Sequence, residues 1–284
     1  MQILKDIESL QQWLSEIKKQ QKTIGFVPTM GALHEGHLAL IKASKKQNDY
    51  TLCSIFINPT QFNNSEDLAR YPRTEQKDSQ MLQNVQCDAL FMPQAQEIYP
   101  NQNVLQLSFG YLETLMEGKF RPGHFAGVGL IVSKLFHLVQ PQRAYFGQKD
   151  LQQCAVIQCL VQELNFPLEV IICPTIREPN GLAMSSRNQR LSEEAQQKAT
   201  QIYQTLLNIQ ILIEQQQNPL EQQHLTPILK HLTQNDITIE YLEIVDAQTL
   251  LSLEYPYPKQ ITIAVCIAAY LEEVRLIDNI LFKH

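Results

Sequence analysis

After Gly181 the chain of 284 residues contains no glycine; all ten fall at or before that position. Turns that bring a bare backbone against a phosphate are therefore confined to the first part of the chain. The six cysteines (Cys53, Cys87, Cys154, Cys159, Cys173 and Cys266) form no CxxC pair. Their scatter through apolar runs argues against a zinc ribbon or a dithiol redox centre and for reduced, buried thiols. An excess of positive charge is missing as well. A net charge of −6 argues against the basic face that nucleic-acid binding needs, so no nucleic-acid partner is expected. A few cations in a cleft still suffice for a small anionic substrate. No apolar run reaches membrane-spanning length, and the polar "QILKDIESLQQW" after Met1 does not read as a secretory leader. No membrane partner is expected, and the expected location is the cytoplasm.

What is present is alternation. "TIGFVPT" (23–29), "YTLCSIFIN" (50–58), "DALFMP" (88–93), "RAYFG" (143–147) and "LEVIICP" (168–174) read as buried strands. Between them "GHLALIKASKKQ", "TEQKDSQMLQNV", "AGVGLIVSKLFHLV" and "DLQQCAVIQCLVQEL" have helical spacing. Strand–helix alternation predicts an α/β fold, a parallel sheet with helices on both faces. From about residue 190 the texture changes. A glutamine-rich amphipathic helix begins at a Ser-x-Glu-Glu cap signal, a shorter helix follows near 220–234, and then come the β-rich runs "ITIEYLEIV" and "QITIAVCIAAYL" and a final "EVRLIDNILF". This predicts a small α+β domain. The polar, turn-rich "REPNGLAMSSRNQRLS" holds the boundary, giving domains 1–180 and 181–284.

The chemistry-bearing residues cluster where strands end and helices begin. Ligands of parallel sheets bind at the carboxyl ends of strands, near helix N-termini that attract phosphate. "VPTMGALHEGHL" is placed in that way. Gly31 and Gly36 frame four residues as in a P-loop, but His37 and Leu38 stand where a Walker motif needs Lys and Ser/Thr. His34 and His37 instead lie three residues apart at the positive end of a helix, where imidazoles can donate to phosphate oxygens. "AYFGQKD" repeats the arrangement, with Lys149 placed to reach a phosphate and Asp150 to cap the helix or meet a ribose hydroxyl. "GLAMSSRN" sets Ser185, Ser186 and Arg187 in a loop suited to pyrophosphate. "FINPTQF" ends a strand with Asn58 and Gln61, neutral amides that can read hydroxyls and carboxylates.

Six stretches, "PTMGALHEGH", "FINPTQF", "EDLARYPRT", "EGKFRPGHFAGV", "AYFGQKD" and "REPNGLAMSSRN", occur in this order over about residues 24–190. Together they resemble the pantothenate synthetase (pantoate–β-alanine ligase) family of the HIGH-motif nucleotidylyltransferase superfamily. His34 and His37 look like that motif, and "MSSR" like its mobile phosphate loop. The resemblance implies a Rossmann-like nucleotide-binding domain, a smaller C-terminal lid domain and a homodimer. It implies ATP and Mg2+ as cofactors and pantoate and β-alanine as small-molecule substrates. Pantoate would attack the α-phosphorus of ATP to give pantoyl adenylate, and the β-alanine amine would then displace AMP.

Carried over residue by residue, ATP would meet Met30, Gly31, Ala32, Leu33, His34, Glu35, Gly36, His37, Gly147, Gln148, Lys149, Asp150, Ile176, Met184, Ser185, Ser186 and Arg187. His37 would be the proton donor, with His34, Lys149, Ser185, Ser186 and Arg187 sharing in catalysis. Gln61 and Gln153 would hold pantoate, with Gln61 also near β-alanine, and Asn58 would join that pocket. The acidic cluster expected after "YPRT" is reduced to "EQKDSQ", which leaves Asp78 as the magnesium ligand. Asn63 and Asn64 follow Phe62 where the family has glycine. Three alternatives stand beside this reading. A nucleotidylyltransferase that stops after attaching AMP to a phosphate would want a basic acceptor cluster, and an aminoacyl-tRNA synthetase an RNA-binding surface. A non-catalytic nucleotide-binding module would need neither both histidines nor "MSSR".

Overall fold

The continuous apolar runs at 24–29, 50–55, 89–91 and 143–147 form strands buried on both faces in the computed structural model, which describes residues 1–63, 65–101 and 103–284. Asn64 lies outside the described residues. Six strands, β1 (Gln2–Leu4), β2 (Ile24–Thr29), β3 (Tyr50–Ile55), β4 (Ala89–Phe91), β5 (Arg143–Gly147) and β6 (Glu169–Cys173), form a sheet in the order β1-β4-β3-β2-β5-β6. All of its pairings are parallel. The principal helices of this part are α1 (Ile7–Lys19), α2 (Glu35–Gln47), α3 (Glu75–Asn84), α4 (His124–Val139) and α5 (Leu151–Glu163). Val27, Cys53, Leu90 and Tyr145 point to one face and pack with Leu40 and Ile41 of α2 and Leu82 of α3. Their neighbours point the other way: Phe26 meets Phe136 of α4 edge-on at 6.4 Å.

Strand order decides where a ligand can enter. From β2 the chain steps to β3 and β4 on one side, then returns to place β5 and β6 on the other. The order reverses between β2 and β5, and such a switch point opens a crevice at the carboxyl ends of the strands. The β2–β5 ladder consists of the pairs Gly25–Arg143 and Phe26–Ala144, near the amino-terminal ends. The turn after β2, and Gly147 and Gln148 at the carboxyl end of β5, therefore flank this crevice.

Grouping by contacts gives two compact units, Met1–Gln148 with Gln152–Pro174, and Lys149–Leu151 with Thr175–His284. The division falls at Pro174/Thr175, six residues before the expected boundary at 180/181, because the hairpin that follows β6 packs with the second unit; Lys149–Leu151 also group there. In that unit β7 (Thr238–Asp246), β8 (Thr262–Leu271) and β9 (Val274–Lys283) form an antiparallel sheet in the order β7-β8-β9. Ile202, Leu206, Ile209 and Ile213 of α6 (Glu193–Glu214) share a core with Ile263, Val265, Ile267 and Ala269, alternate residues of β8. Helical spacing thus meets period two across one interface. The shorter helix α7 spans Gln222–Gln234. Among the described residues no helix is long and apolar enough to cross a membrane. All six cysteines are free thiols, and burial pushes the Cys87 thiol up to about 12 and the Cys53 thiol up as well.

One glycine ties the fold to the loop after β3. At Gly127 of α4 an added Cβ would lie 2.4 Å from the Thr60 carbonyl oxygen and 2.8 Å from Gln61 Cα. Gly127→Ala is expected to push helix and loop apart and to destabilise the protein by about 1–3 kcal/mol. Urea denaturation checks this, and an unchanged midpoint would contradict the close approach.

Candidate active site

The turn after β2 is held by a single carboxylate. Gly31 (φ +83°) and Ala32 (φ +50°) are both left-handed, a conformation that disfavours alanine. Asp78, in the first turn of α3 and 1% exposed, accepts the N–H of Ala32 on Oδ2 and the N–H of Leu33 on Oδ1, both at 2.9 Å. Thr74 Oγ1 donates to the same Oδ1 at 3.1 Å. Thr29 steadies the other side, donating to the Ser54 carbonyl at 2.7 Å and accepting the Gly31 N–H at 3.2 Å.

That turn delivers the histidines. His34 is the N-cap of α2, in extended conformation, and its Nδ1 accepts the N–H of Gly36 at 3.2 Å. His37, one turn on, accepts the N–H of His34 on its own Nδ1 at 3.3 Å. The ring centroids are 4.1 Å apart. With both Nδ1 atoms acting as acceptors, each neutral ring carries its proton on Nε2. The local backbone thus sets one tautomer for both imidazoles, with Nε2–H as the donor. Ala32 and Leu33 turn their side chains into the core, whereas Glu35 is exposed and pairs with Lys42 at 3.6 Å.

The loop after β3 forms a closed amide network. Asn58, 1% exposed, donates from Nδ2 to Gln61 Oε1 and to the Gly127 carbonyl, each at 3.1 Å. Its Oδ1 accepts the Tyr99 hydroxyl at 2.8 Å and Thr60 Oγ1 at 3.0 Å. Burial raises the Tyr99 phenol, which keeps it a donor. Gln61 directs Nε2 at Met30 Sδ, 2.9 Å away, and its carbonyl lies 2.9 Å from His124 Nδ1. His124, Tyr99 and Gly127 have no role legible in the sequence, although His124 and Gly127 stand in "RPGHFAGV", because their partners are distant in the chain. Gln152 is buried and tied to the backbone of Leu112, Leu115 and Glu117, so its neighbour Gln153 is the half-buried member of the pair.

The second unit carries the other group of expected residues. Lys149 lies 3.6 Å from Asp150 Oδ2. Residues 176–184 form a tight hairpin in which Met184 N–H donates to the Ile176 carbonyl at 3.0 Å and Glu178 N–H to Leu182 at 2.8 Å. Ile176 and Met184, separated by seven positions, are thereby placed side by side. Ser185 Oγ then accepts the Arg187 N–H at 3.2 Å, capping the short 3-10 helix Ser186–Arg190.

Two sequence expectations change on this geometry. Asp78 does not fit a metal: both oxygens are filled by the chain's own donors, and no cluster of His, Cys, Asp or Glu that could hold an ion occurs among the described residues. Asn58 does not fit a substrate contact, because both amide hydrogens and its oxygen are committed to the network. Met30, the turn from Gly31 to His37, and Gln61 are brought together, as are Ile176 and Met184.

Residues 2–281 match the family model described as pantoate-beta-alanine ligase. The chain is 50% identical over 276 residues to a pantothenate synthetase of Cytophaga hutchinsonii, covering 96% of each chain. It is 43% identical over 283 residues to one from Bacteroides thetaiotaomicron, covering 100% of this chain and 99% of the relative. Among solved structures it is similar to a pantothenate synthetase of Thermus thermophilus (TM-score 0.87, 40% identity, 99% of each chain covered). It is also similar to a pantoate-beta-alanine ligase of Francisella tularensis complexed with beta-gamma ATP and beta-alanine (TM-score 0.83, 36% identity, 99% of this chain and 97% of that one covered).

The Asp78 assignment makes a separable expectation. In Asp78→Asn the amide has one acceptor for two backbone donors and turns its own N–H towards the other, leaving a buried donor unsatisfied at about 1–3 kcal/mol. Unfolding is expected to show that loss in magnesium and in chelator alike. Stabilisation of the wild type by magnesium that the variant lacks would instead make Asp78 an ion ligand.

Proposed function

The chain belongs to the pantoate–β-alanine ligase family, and from that membership we propose that it condenses pantoate with β-alanine to pantothenate, using ATP and releasing AMP and pyrophosphate. The observation that carries the reading is the pair of imidazoles set with Nε2–H as donor on the turn at the carboxyl end of β2, beside the switch point of the sheet. A carboxylate is a poor acylating agent because its leaving group would be an oxide. Adenylation removes that obstacle: a pantoate carboxylate oxygen bonds to the α-phosphorus, the bond from that phosphorus to the bridging oxygen of the β-phosphate breaks, and pyrophosphate departs. The β-alanine amine then bonds to the acyl carbon, the acyl–oxygen bond breaks, AMP leaves and the amine proton is lost.

Such a transfer is catalysed mainly by positioning and by neutralising charge as it develops. His34 and His37 are assigned to the leaving pyrophosphate, with His37 as the proton donor. A donor aimed at transition-state charge typically contributes on the order of 10²–10³-fold in rate. Lys149, Ser185, Ser186 and Arg187 are assigned to the phosphates, as cations and hydroxyl donors. Gln61 and Gln153 are assigned to pantoate, which they meet through hydrogen bonds and not through charge. Asn58, His124 and Tyr99 hold Gln61 in place. Magnesium is proposed to arrive on the ATP phosphates, keeping waters as its other ligands. Asp78 is not among them. A homodimer and a cytoplasmic location complete the proposal, the latter consistent with free, buried thiols.

If the adenylate forms before the amine enters, pantoate alone supports exchange of labelled pyrophosphate into ATP. Exchange in the absence of β-alanine, followed by pantothenate on its addition, is the expected result. Exchange that strictly requires β-alanine would overturn the order of steps.

A further inference from the structure

The C-terminal third carries no motif of its own, yet it contains Asp278 and Asn279, adjacent polar residues of β9 that are 5% and 3% exposed. Burying such groups is unfavourable unless their hydrogen bonds are met within the protein. Arg177 grips Asp278 with both arms of its guanidinium, Nη1 to Oδ2 at 2.6 Å and Nη2 to Oδ1 at 2.9 Å. The same guanidinium donates to the carbonyls of Gly181 and Asn279, each at 3.2 Å, and lies over the Tyr203 ring at 3.7 Å. Arg177 sits between Ile176 and Glu178, inside the hairpin that sets Ile176 beside Met184 and leads into Ser185–Arg187. From the neighbouring position, Asn279 Nδ2 donates to the backbone carbonyl of Lys149 at 2.9 Å.

We propose that Asp278 and Asn279 are positioning residues for adenylation: Asp278, through Arg177, sets the hairpin that carries Met184–Arg187, and Asn279 sets Lys149 through its main chain. The proposal rests on the ligase reading, since adenylate formation is the step that Lys149 and Arg187 serve. Positioning differs here from bulk stability in two respects. An apolar pair of similar volume can stabilise a buried site as well as an ion pair does, but it lacks the planar fork that fixes direction. The two residues are also consecutive on one strand, so a single register, Ile267–Asp278 and Cys266–Asn279 against β8, fixes both segments together. A displacement of about 1 Å in either segment is enough to slow a phosphoryl-type step by about 10²-fold.

Two variants of the full chain test this, Asn279→Ala and the apolar double variant Asp278→Leu/Arg177→Met. Each is measured by pyrophosphate exchange, by pantoate calorimetry and by urea unfolding. For Asn279→Ala the exchange kcat is expected to fall by about 10²-fold, with pantoate affinity unchanged and unfolding still cooperative. The double variant is expected to keep or regain stability without recovering kcat. Full kcat in Asn279→Ala, or full kcat in a stable double variant, overturns the positioning role, as does loss of pantoate affinity in proportion to kcat. Absence of pantothenate formation by the wild type would instead overturn the ligase reading, so the two failures are distinguishable.

Discussion

The carboxylate of Asp78 under the turn after β2 is the contact on which the first unit's chemistry depends. Two successive left-handed residues would leave the N–H groups of Ala32 and Leu33 pointing into a small cavity, the geometry of an anion-binding nest. Here the anion is built in. Once Asp78 fills the nest, the turn has one conformation, His34 falls at the N-cap of α2, and the backbone N–H groups of Gly36 and His34 reach the two Nδ1 atoms. An acidic residue from the first turn of α3 thereby decides which nitrogen of each histidine holds the proton. The N–H groups of Ala32 and Leu33 are thereby closed to any other anion.

Both units follow the same plan, in which buried polar residues hold the expected ligand-facing ones through side-chain and backbone hydrogen bonds. Asn58, Tyr99 and His124 fix Gln61; Asp278 and Asn279 fix the hairpin and Lys149. Neutral amides suffice where hydrogen bonds alone set an orientation. The buried charge pair occurs where a guanidinium must be held in one plane inside a tight turn.

The sheet was legible because each interior strand is a run of apolar residues between turns, and the helices because their apolar spacing is sustained over three turns or more. β1 was not: three residues, Gln2–Leu4, give no periodicity, and the strand exists because it pairs with Ala89–Phe91. The two histidines were legible from local sequence, since a glycine turn after a strand and before a helix has few uses. Asp78 is different for a physical reason: the family resemblance points its carboxylate at magnesium, and the backbone donors that occupy it lie 45 and 46 residues earlier in the chain. The Asn58 misreading has the same origin, with Gly127 69 residues away. Asp278 and Asn279 carried no local signal at all, because their role lies in contacts with Arg177 and Lys149.

Asp78 and the turn it holds commit both imidazoles to the Nε2–H form, and long-range ¹⁵N–¹H correlation of the histidine rings measures this directly. In the neutral protein, His34 and His37 are expected to show a protonated Nε2 and an unprotonated Nδ1, and in Asp78→Asn that common pattern is expected to be lost. A wild-type spectrum with Nδ1–H on either ring, or an unaltered pattern in the variant, would contradict the account.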